Sequence, residues 1–185
     1  MPLLVHLAAE KDVQRIRRGG IRCRSKGWNR LWGVFSMPVV PNFYVSHQWL
    51  RELKRRGQRR ICGVYFRIPD DEEVWVGHYI ENQSAHGLQL PCAEAVKLIE
   101  RAESQLGYEI IVTRAIKAKE IKKVRHLPQV VGWRYAPDAR SRPICTCPIC
   151  LPRGQIKSRR LRARFGDASA EAFKNSSAQT QGAPP

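Results

Sequence analysis

The feature that most constrains the fold is a short apolar run, Tyr108–Val112, that carries one carboxylate. A helical pattern that ends in Gly107 precedes this run, which predicts a buried strand entered directly after a turn. Ionised glutamate is unfavourable in strands and is rarely buried without a partner. Glu109 is therefore either an edge-strand residue that faces water or a catalytic carboxylate held rigidly on a strand.

The arrangement of the other elements predicts an α+β fold. Strand patterns lie at 3–7, 32–36, 61–68, 73–80 and 120–125, in addition to the strand around Glu109. Helical patterns lie at 10–18, 45–56 and 91–106, and glycines at 20, 57 and 107 are expected to end them. Strands outnumber helices and their order is irregular, which is not the alternation of repeated βαβ units.

The charge of the chain restricts its partners. Its 185 residues include 33 Lys and Arg but 16 Asp and Glu, a formal net charge of +17. Such a field attracts polyanions, nucleic acid above all, and also suits an anionic dinucleotide. The basic residues cluster within 15–30, 51–60 and 153–164, which favours a binding surface over a general solubility charge. The nucleic-acid contacts predicted from the second cluster are Arg55, Arg56, Arg59 and Arg60.

The apolar runs are too short for a membrane protein. None approaches the roughly 20 residues that a spanning helix needs. The run at 3–9 is also too short for a signal peptide, and no basic segment precedes it. We therefore expect a cytoplasmic protein with no membrane partner, in which the six cysteines are thiols or metal ligands and not disulfides.

Four short segments, which make up three motifs, form a pattern of their own. Leu4-Val5-His6 lies on the predicted first strand, and Gly33-Val34-Phe35-Ser36 lies on the second. Asn42-Phe43-Tyr44 begins a predicted helix, and Glu109-Ile110-Ile111-Val112 forms a late strand. In this order the segments resemble those of the ADP-ribosyltransferases, in the branch of poly(ADP-ribose) polymerases and diphtheria-type toxins. The resemblance covers roughly residues 3–125 and implies a split β-sheet core with few helices.

The resemblance also implies a reaction, the glycosyl transfer of ADP-ribose from NAD. Glu109 would stabilise the positive charge that develops on the ribose as nicotinamide leaves, and would accept a proton from the attacking group. Phe35 and Tyr44 would stack on the nicotinamide ring. His6 would form a hydrogen bond with a ribose hydroxyl, which fixes NAD in a reactive position.

Further NAD contacts are expected from the backbone at Gly33 and Leu7. Leu7 stands where many members of the family have glycine. Its backbone can still contact nicotinamide, but its side chain leaves less room for the ring to approach. Gly107 stands where arginine-modifying members carry a second Glu, so an arginine acceptor is not expected.

The helix before Gly107, the Glu109 strand and the turn from Ile116 to Ile121 also resemble those of toxins that modify DNA bases. Together with the charge, this favours nucleic acid over protein as the acceptor. By analogy with those toxins, a toxin or phage-defence role with an antitoxin partner is expected.

A cluster of three cysteines lies beyond the resemblance. Cys145, Cys147 and Cys150 provide three thiolates within six residues, which favours a structural zinc ion with a fourth ligand from elsewhere. The candidates for that ligand are Cys23, Cys62, Cys92 and His126. The alternative is a turn with free thiols. Trp133 and Tyr135, which precede the cluster, are suited to stacking on bases.

These observations divide the chain into three parts. We expect an ADP-ribosyltransferase-like domain at 1–127, a basic aromatic and cysteine-containing extension at 128–165, and a disordered tail at 166–185. Two other functions stay open. One is a non-catalytic, zinc-stabilised nucleic-acid-binding protein, and the other is an RNA 2′-phosphotransferase, which also uses NAD but whose arginine pattern is not matched here.

Overall fold

The computed structural model describes residues 1–26, 31–55, 58–78 and 87–129. The strands are β1 (Leu3–Ala9), β2 (Ser25–Lys26), β3 (Trp32–Pro38), β4 (Ile61–Arg67), β5 (Glu73–His78), β6 (Leu88–Pro91), β7 (Tyr108–Val112) and β8 (Ile121–His126). The α-helices are α1 (Val13–Gly19), α2 (Phe43–Ser46), α3 (Leu50–Arg55) and α4 (Cys92–Arg101). Short 3-10 turns at Glu10–Asp12 and Ala118–Glu120 precede α1 and β8.

Seven of these strands form a continuous antiparallel sheet. Their order is β6-β5-β7-β3-β1-β4-β8, and β2 pairs with β3 beside this path. Every strand pair is antiparallel. The predicted α+β class is therefore confirmed. None of the helices in the described part of the chain is both long and apolar enough to cross a membrane.

Strand β3 changes its neighbour along its length. Its residues Val34–Ser36 pair with β7, whereas Met37 and Pro38 pair with Val5 and Leu4 of β1. Strand β1 continues to Ala9 alongside β4. The β1–β3 ladder of the described chain thus ends at Val5, and the two strands diverge there. We refer to this place as the β1–β3 opening.

Successive side chains of a strand point to opposite faces of the sheet, and a cluster of buried residues packs on each face. One face bears the first core cluster, in which Leu4 and Ala8 of β1 pack with residues of α1 and α4 such as Ile16 and Ile99. The other face bears the second core cluster. Its members are Val5, Met37, Val40, Tyr44, Val45, Tyr65 and Leu106. Burial on both faces makes β1 and β3 central strands.

Two of the predicted helices differ from the structure. The helix predicted at 45–56 is two short helices, because the chain turns at His47, whose φ of −122° is not helical. Its start lies earlier, where the Asn42 carboxamide accepts hydrogen bonds from the backbone of Tyr44 and Val45. The helix predicted at 91–106 ends at Arg101. It has to end early because α4 packs on the first core cluster, whereas Leu106 belongs to the second.

The strands agree more closely with the sequence patterns. Strand β3 continues to Pro38, where an early end was predicted, because its last residues still pair with β1. Strands β2 and β6 were not predicted, since two and four residues give too short a pattern to recognise. Gly107 has φ of +82° and lies in the turn before β7, so it serves that turn and does not end α4.

Candidate active site

His6 lies at the β1–β3 opening. Its ring Nδ1 is 2.7 Å from the carbonyl oxygen of Phe35 on β3. That carbonyl can only accept, so Nδ1 carries the hydrogen and Nε2 of the neutral ring is left as an acceptor. Burial lowers the pKa of His6, and the bond to Phe35 raises it by less. A neutral ring with an acceptor nitrogen is what a ribose hydroxyl would donate to.

The same hydrogen bond also has a structural role. Past Val5 the β1–β3 ladder no longer supplies a backbone donor to β3. The His6 ring donates to the Phe35 carbonyl in its place and joins the two strands across the opening. Buried carbonyl groups are almost always paired. Loss of the imidazole would therefore affect the sheet as well as any ligand.

Glu109 lies on β7, opposite Gly77 of β5, and only 9% of its surface is exposed. Phe35 and Ile111 are paired residues of β3 and β7, so they share a face of the sheet. Glu109 is two residues from Ile111 and lies on that same face. Glu109 and Phe35 thus lie on one face of neighbouring strands.

His6 and Glu109 do not share a face. His6 alternates with Leu4 and Ala8, which point into the first core cluster, whereas Glu109 lies on the opposite side. A ligand on one face of the sheet therefore contacts one of the two residues directly, since the hydrogen bond between the His6 ring and the Phe35 carbonyl closes the β1–β3 opening.

The turn before Glu109 is fixed by polar contacts from the α2–α3 segment. The Gln48 carboxamide accepts a hydrogen bond from the Gly107 backbone at 2.6 Å and donates to the Gln105 carbonyl at 3.1 Å. The Trp49 indole donates to the carbonyl of Tyr108 at 3.0 Å. Gln48 is buried, so these bonds are shielded from water. Sequence reasoning missed Gln48, although a glutamine within an apolar helix pattern is a usable signal.

The segment after β7 is held by an ion-pair network. The Arg114 guanidinium contacts Glu120 at 2.7 Å and Glu72 at 2.5 Å. Glu72 lies just before β5 and Glu120 just before β8, so the network joins three parts of the sheet. Sequence analysis did not identify Arg114, because Glu72 is 42 positions away and no local pattern links the two residues. Glu109 is thus on a strand fixed at both ends.

Two predicted NAD contacts have a packing explanation. A Cβ on Gly33 would lie 2.2 Å from the Ile111 side chain, so close approach of β7 is enough to require glycine. Tyr44 belongs to the second core cluster with 1% of its surface exposed, and burial raises the pKa of its hydroxyl. Stacking on nicotinamide would require its ring to be uncovered. Phe35 and Leu7 are half-buried.

Two other histidines, His47 and His78, also contact backbone carbonyls through a ring nitrogen, as His6 does. His47 is buried, with Nδ1 2.7 Å from the Phe43 carbonyl and Nε2 2.8 Å from the Tyr65 hydroxyl. Burial lowers the pKa of His47 to about 4. His78 contacts the Leu106 carbonyl at 3.0 Å, and His86 lies outside the described residues.

Several of the described basic residues lie along one edge of the sheet. Arg59 and Arg60 precede β4, and the neighbouring edge strand β8 exposes Lys122, Lys123 and Arg125. Arg60 also lies 3.7 Å from Glu10. The basic residues of β8 were not predicted as contacts, although the pattern Ile-Lys-Lys-Val-Arg indicates a strand with basic side chains. We call this surface the basic edge.

The other predicted site residues lie outside the described chain or carry no described side chain. Arg56, Trp133, Tyr135, Cys145, Cys147 and Cys150 are outside the described residues, and for Arg55 only the backbone is described. The chain has no significant match among protein-family models, curated proteins or solved structures.

Proposed function

We propose that this protein is an NAD-dependent ADP-ribosyltransferase that modifies nucleic acid. The observation that supports the proposal is the position of Glu109, a largely buried carboxylate on β7 that shares one face of the sheet with Phe35 of the neighbouring strand β3. The three motif residues come from distant parts of the sequence and lie on neighbouring strands. If the similarity of the three motifs were coincidental, their residues would not need to lie on neighbouring strands.

The proposed roles follow from the positions of the side chains. NAD would lie on the face of the sheet that bears Phe35 and Glu109, and His6 would hold the Phe35 backbone in place from the other face. Glu109 would face the bond between ribose and nicotinamide. Its carboxylate would stabilise the oxocarbenium-like charge on the sugar as nicotinamide departs with the bonding electrons. The rigid mounting of β7 between Gln48 and Arg114 keeps that carboxylate preorganised.

The choice of nucleic acid as the acceptor rests on charge. The basic edge exposes Arg59 just before β4, and Lys122 and Arg125 on the edge strand β8. A row of cations at strand spacing suits the phosphates of a polynucleotide. The net charge of +17 adds a long-range field that attracts the same partner.

The proposal is tested by following labelled NAD. The purified protein is incubated with NAD labelled on the adenylate phosphate, together with single-stranded DNA, duplex DNA, RNA or a cell lysate. Label in one of the nucleic-acid fractions, with equimolar release of nicotinamide, is the expected result. Label only in protein would change the acceptor. Absence of both nicotinamide release and label from every fraction would contradict transferase activity.

One set of observations favours the non-catalytic alternative. Gly33 and Tyr44 are accounted for by packing, and His6 satisfies a backbone carbonyl. A nucleic-acid-binding protein would use the basic edge to bind its partner. It would not need Gly33, Tyr44 or His6 to contact a ligand. The labelled-NAD experiment separates the two functions, because such a protein would bind DNA or RNA without consuming NAD.

A further inference from the structure

The strongest unassigned feature is a cluster of three metal-binding side chains at the edge of the sheet, far from the Glu109 strand in sheet order. Cys62 lies near the start of β4 and is paired directly with His126 at the end of β8. Glu10 follows β1. The three ligand atoms lie within 4.8 Å of one another. From this geometry we infer a site for one divalent cation of the Zn²⁺ class, bound by Glu10, Cys62 and His126.

The distances between these atoms fit a tetrahedral ion. Bond lengths of about 2.3 Å to sulfur and about 2.0 Å to nitrogen and oxygen place tetrahedral ligands roughly 3.3 to 3.6 Å apart. The Cys62 sulfur is 3.6 Å from Nδ1 of His126, and the nearer Glu10 oxygen is 3.2 Å from that same nitrogen. Sulfur, nitrogen and oxygen also form a ligand set that zinc accepts.

The arrangement does not suit a catalytic cysteine. In a nucleophilic triad the histidine contacts the nucleophile through one ring nitrogen and the carboxylate through the other. Here the Cys62 thiol and the Glu10 carboxylate both approach Nδ1 of His126. Cys62 is also only 1% exposed, so a substrate cannot reach its sulfur. Convergence of the three groups on one point is the geometry of a bound ion.

The surroundings determine how the site is completed. The side chains of His126 and Glu10 are 83% and 37% exposed, so the fourth position faces solvent and takes a water molecule. Arg60 lies 3.7 Å from the other Glu10 oxygen, and Arg17 acts electrostatically on Cys62. These positive charges oppose a cation, whereas the Glu10 carboxylate and the ionised thiol favour it. The ion would fasten the edge strand β8 to β4 and to the turn after β1.

The test uses Co²⁺ as a spectroscopic substitute for zinc. The full-length protein carries Cys145→Ser, Cys147→Ser and Cys150→Ser, so that thiolate absorption from those positions is removed. Titration of the metal-free protein should give one equivalent of bound cobalt with a sulfur-to-cobalt absorption band. Cys62→Ser should remove the band. Cys92→Ser, a buried cysteine outside the cluster, is the matched control and should retain it.

A second variant separates metal binding from folding. His126→Gln changes an exposed side chain, so its circular dichroism and the thermal midpoint of the metal-free protein should match those of the parent. Its cobalt affinity should fall by at least the roughly 10–100-fold that loss of an outer-shell partner costs at metal sites. Failure of the parent to bind cobalt, or unchanged binding by His126→Gln, would overturn the inference.

Discussion

Gln48 is a single buried residue that positions the strand of the proposed catalytic carboxylate. It satisfies the Gly107 backbone N–H and the Gln105 carbonyl at the same time. We predict that Gln48→Leu, which keeps the size of the side chain, destabilises the fold by about 1–3 kcal/mol, because a buried donor loses its partner. Urea unfolding monitored by tryptophan fluorescence measures this change.

The control for this prediction is another glutamine. Gln14 on α1 is exposed, and Gln14→Leu should change the unfolding free energy by no more than about 0.5 kcal/mol. Equal effects of the two substitutions would show that Gln48 has no special role before β7.

His47 predicts a dependence of stability on pH. Its pKa is about 4 in the folded protein, below the ordinary value of 6.5. Between these values the unfolded chain binds a proton that the folded chain does not, so stability is complete above pH 6.5 and falls as the pH drops towards 4. The loss amounts to about 3 kcal/mol at most.

The measurement compares wild type with His47→Asn, which does not titrate, by urea unfolding at several values between pH 7 and 4. The unfolding free energy of the wild type should fall more steeply over that interval. The pKa of His6 is also lowered, but His6 is present in both proteins and so does not contribute to the difference between them. Parallel pH profiles would contradict the assignment of a buried neutral His47.

At the scale of elements, the end of α1 offers a matched pair of glycines. Gly20 has φ of +78°, and a Cβ there would lie 2.0 Å from the Ile116 carbonyl oxygen. Gly19 has nothing within 4 Å of such an atom. Gly20→Ala should therefore cost at least roughly 1–2 kcal/mol. Gly19→Ala should be neutral or stabilise by up to about 1 kcal/mol.

Thermal unfolding of both glycine variants decides this prediction. The contact matters because Ile21 and Ile116 exchange two backbone hydrogen bonds and so join α1 to the segment after β7. Equal thermal midpoints for Gly19→Ala and Gly20→Ala would mean that the chain does not pass so close to Ile116.

Helices and strands could be predicted from the sequence where a single local pattern determines them. The strand at Glu109 and the stop at Gly20 follow from apolar runs and glycine placement, and the structure has both. The early end of α4 could not be predicted, because Leu106 continues the helical spacing of Ala95 and Ile99. Its burial on the other face of the sheet is a tertiary effect that spacing does not contain.

The same distinction applies to the candidate site. His6, Phe35 and Glu109 were identified from sequence, and the structure places them on neighbouring strands. The opposite faces of His6 and Glu109 depend on the pairing registers of β1 with β3 and of β3 with β7, which no local pattern records. The cluster of Cys62 with His126 also needs the pairing of β4 with β8, since 64 positions separate the two residues.

At the scale of the whole molecule, the basic edge predicts salt-dependent binding of nucleic acid. The slope of log affinity against log salt is about −0.7 to −0.9 for each phosphate contacted. Lys122→Gln with Arg125→Gln should therefore flatten the slope by roughly 1.4 to 1.8 if each residue contacts one phosphate. Fluorescence anisotropy with single-stranded DNA and RNA, measured at several salt concentrations, gives the slopes.

The matched control removes the same number of charges from another part of the sheet. Lys97 and Arg101 are exposed on α4, which packs near β5 and β6 at the opposite end. Lys97→Gln with Arg101→Gln should leave the salt slope unchanged. A flat slope in the wild type, or equal flattening by both pairs, would assign the charge to solubility or to the general field.

The central claim is that Glu109 catalyses ADP-ribose transfer, and its most direct test is the labelling rate of Glu109→Gln with adenylate-labelled NAD and the acceptor nucleic acid. The amide keeps the shape of the side chain but not its charge. We predict an unchanged thermal midpoint and NAD affinity, with a rate lower by at least ~100-fold, the scale of losing one preorganised transition-state group. Transfer by Glu109→Gln at the wild-type rate would contradict the claim.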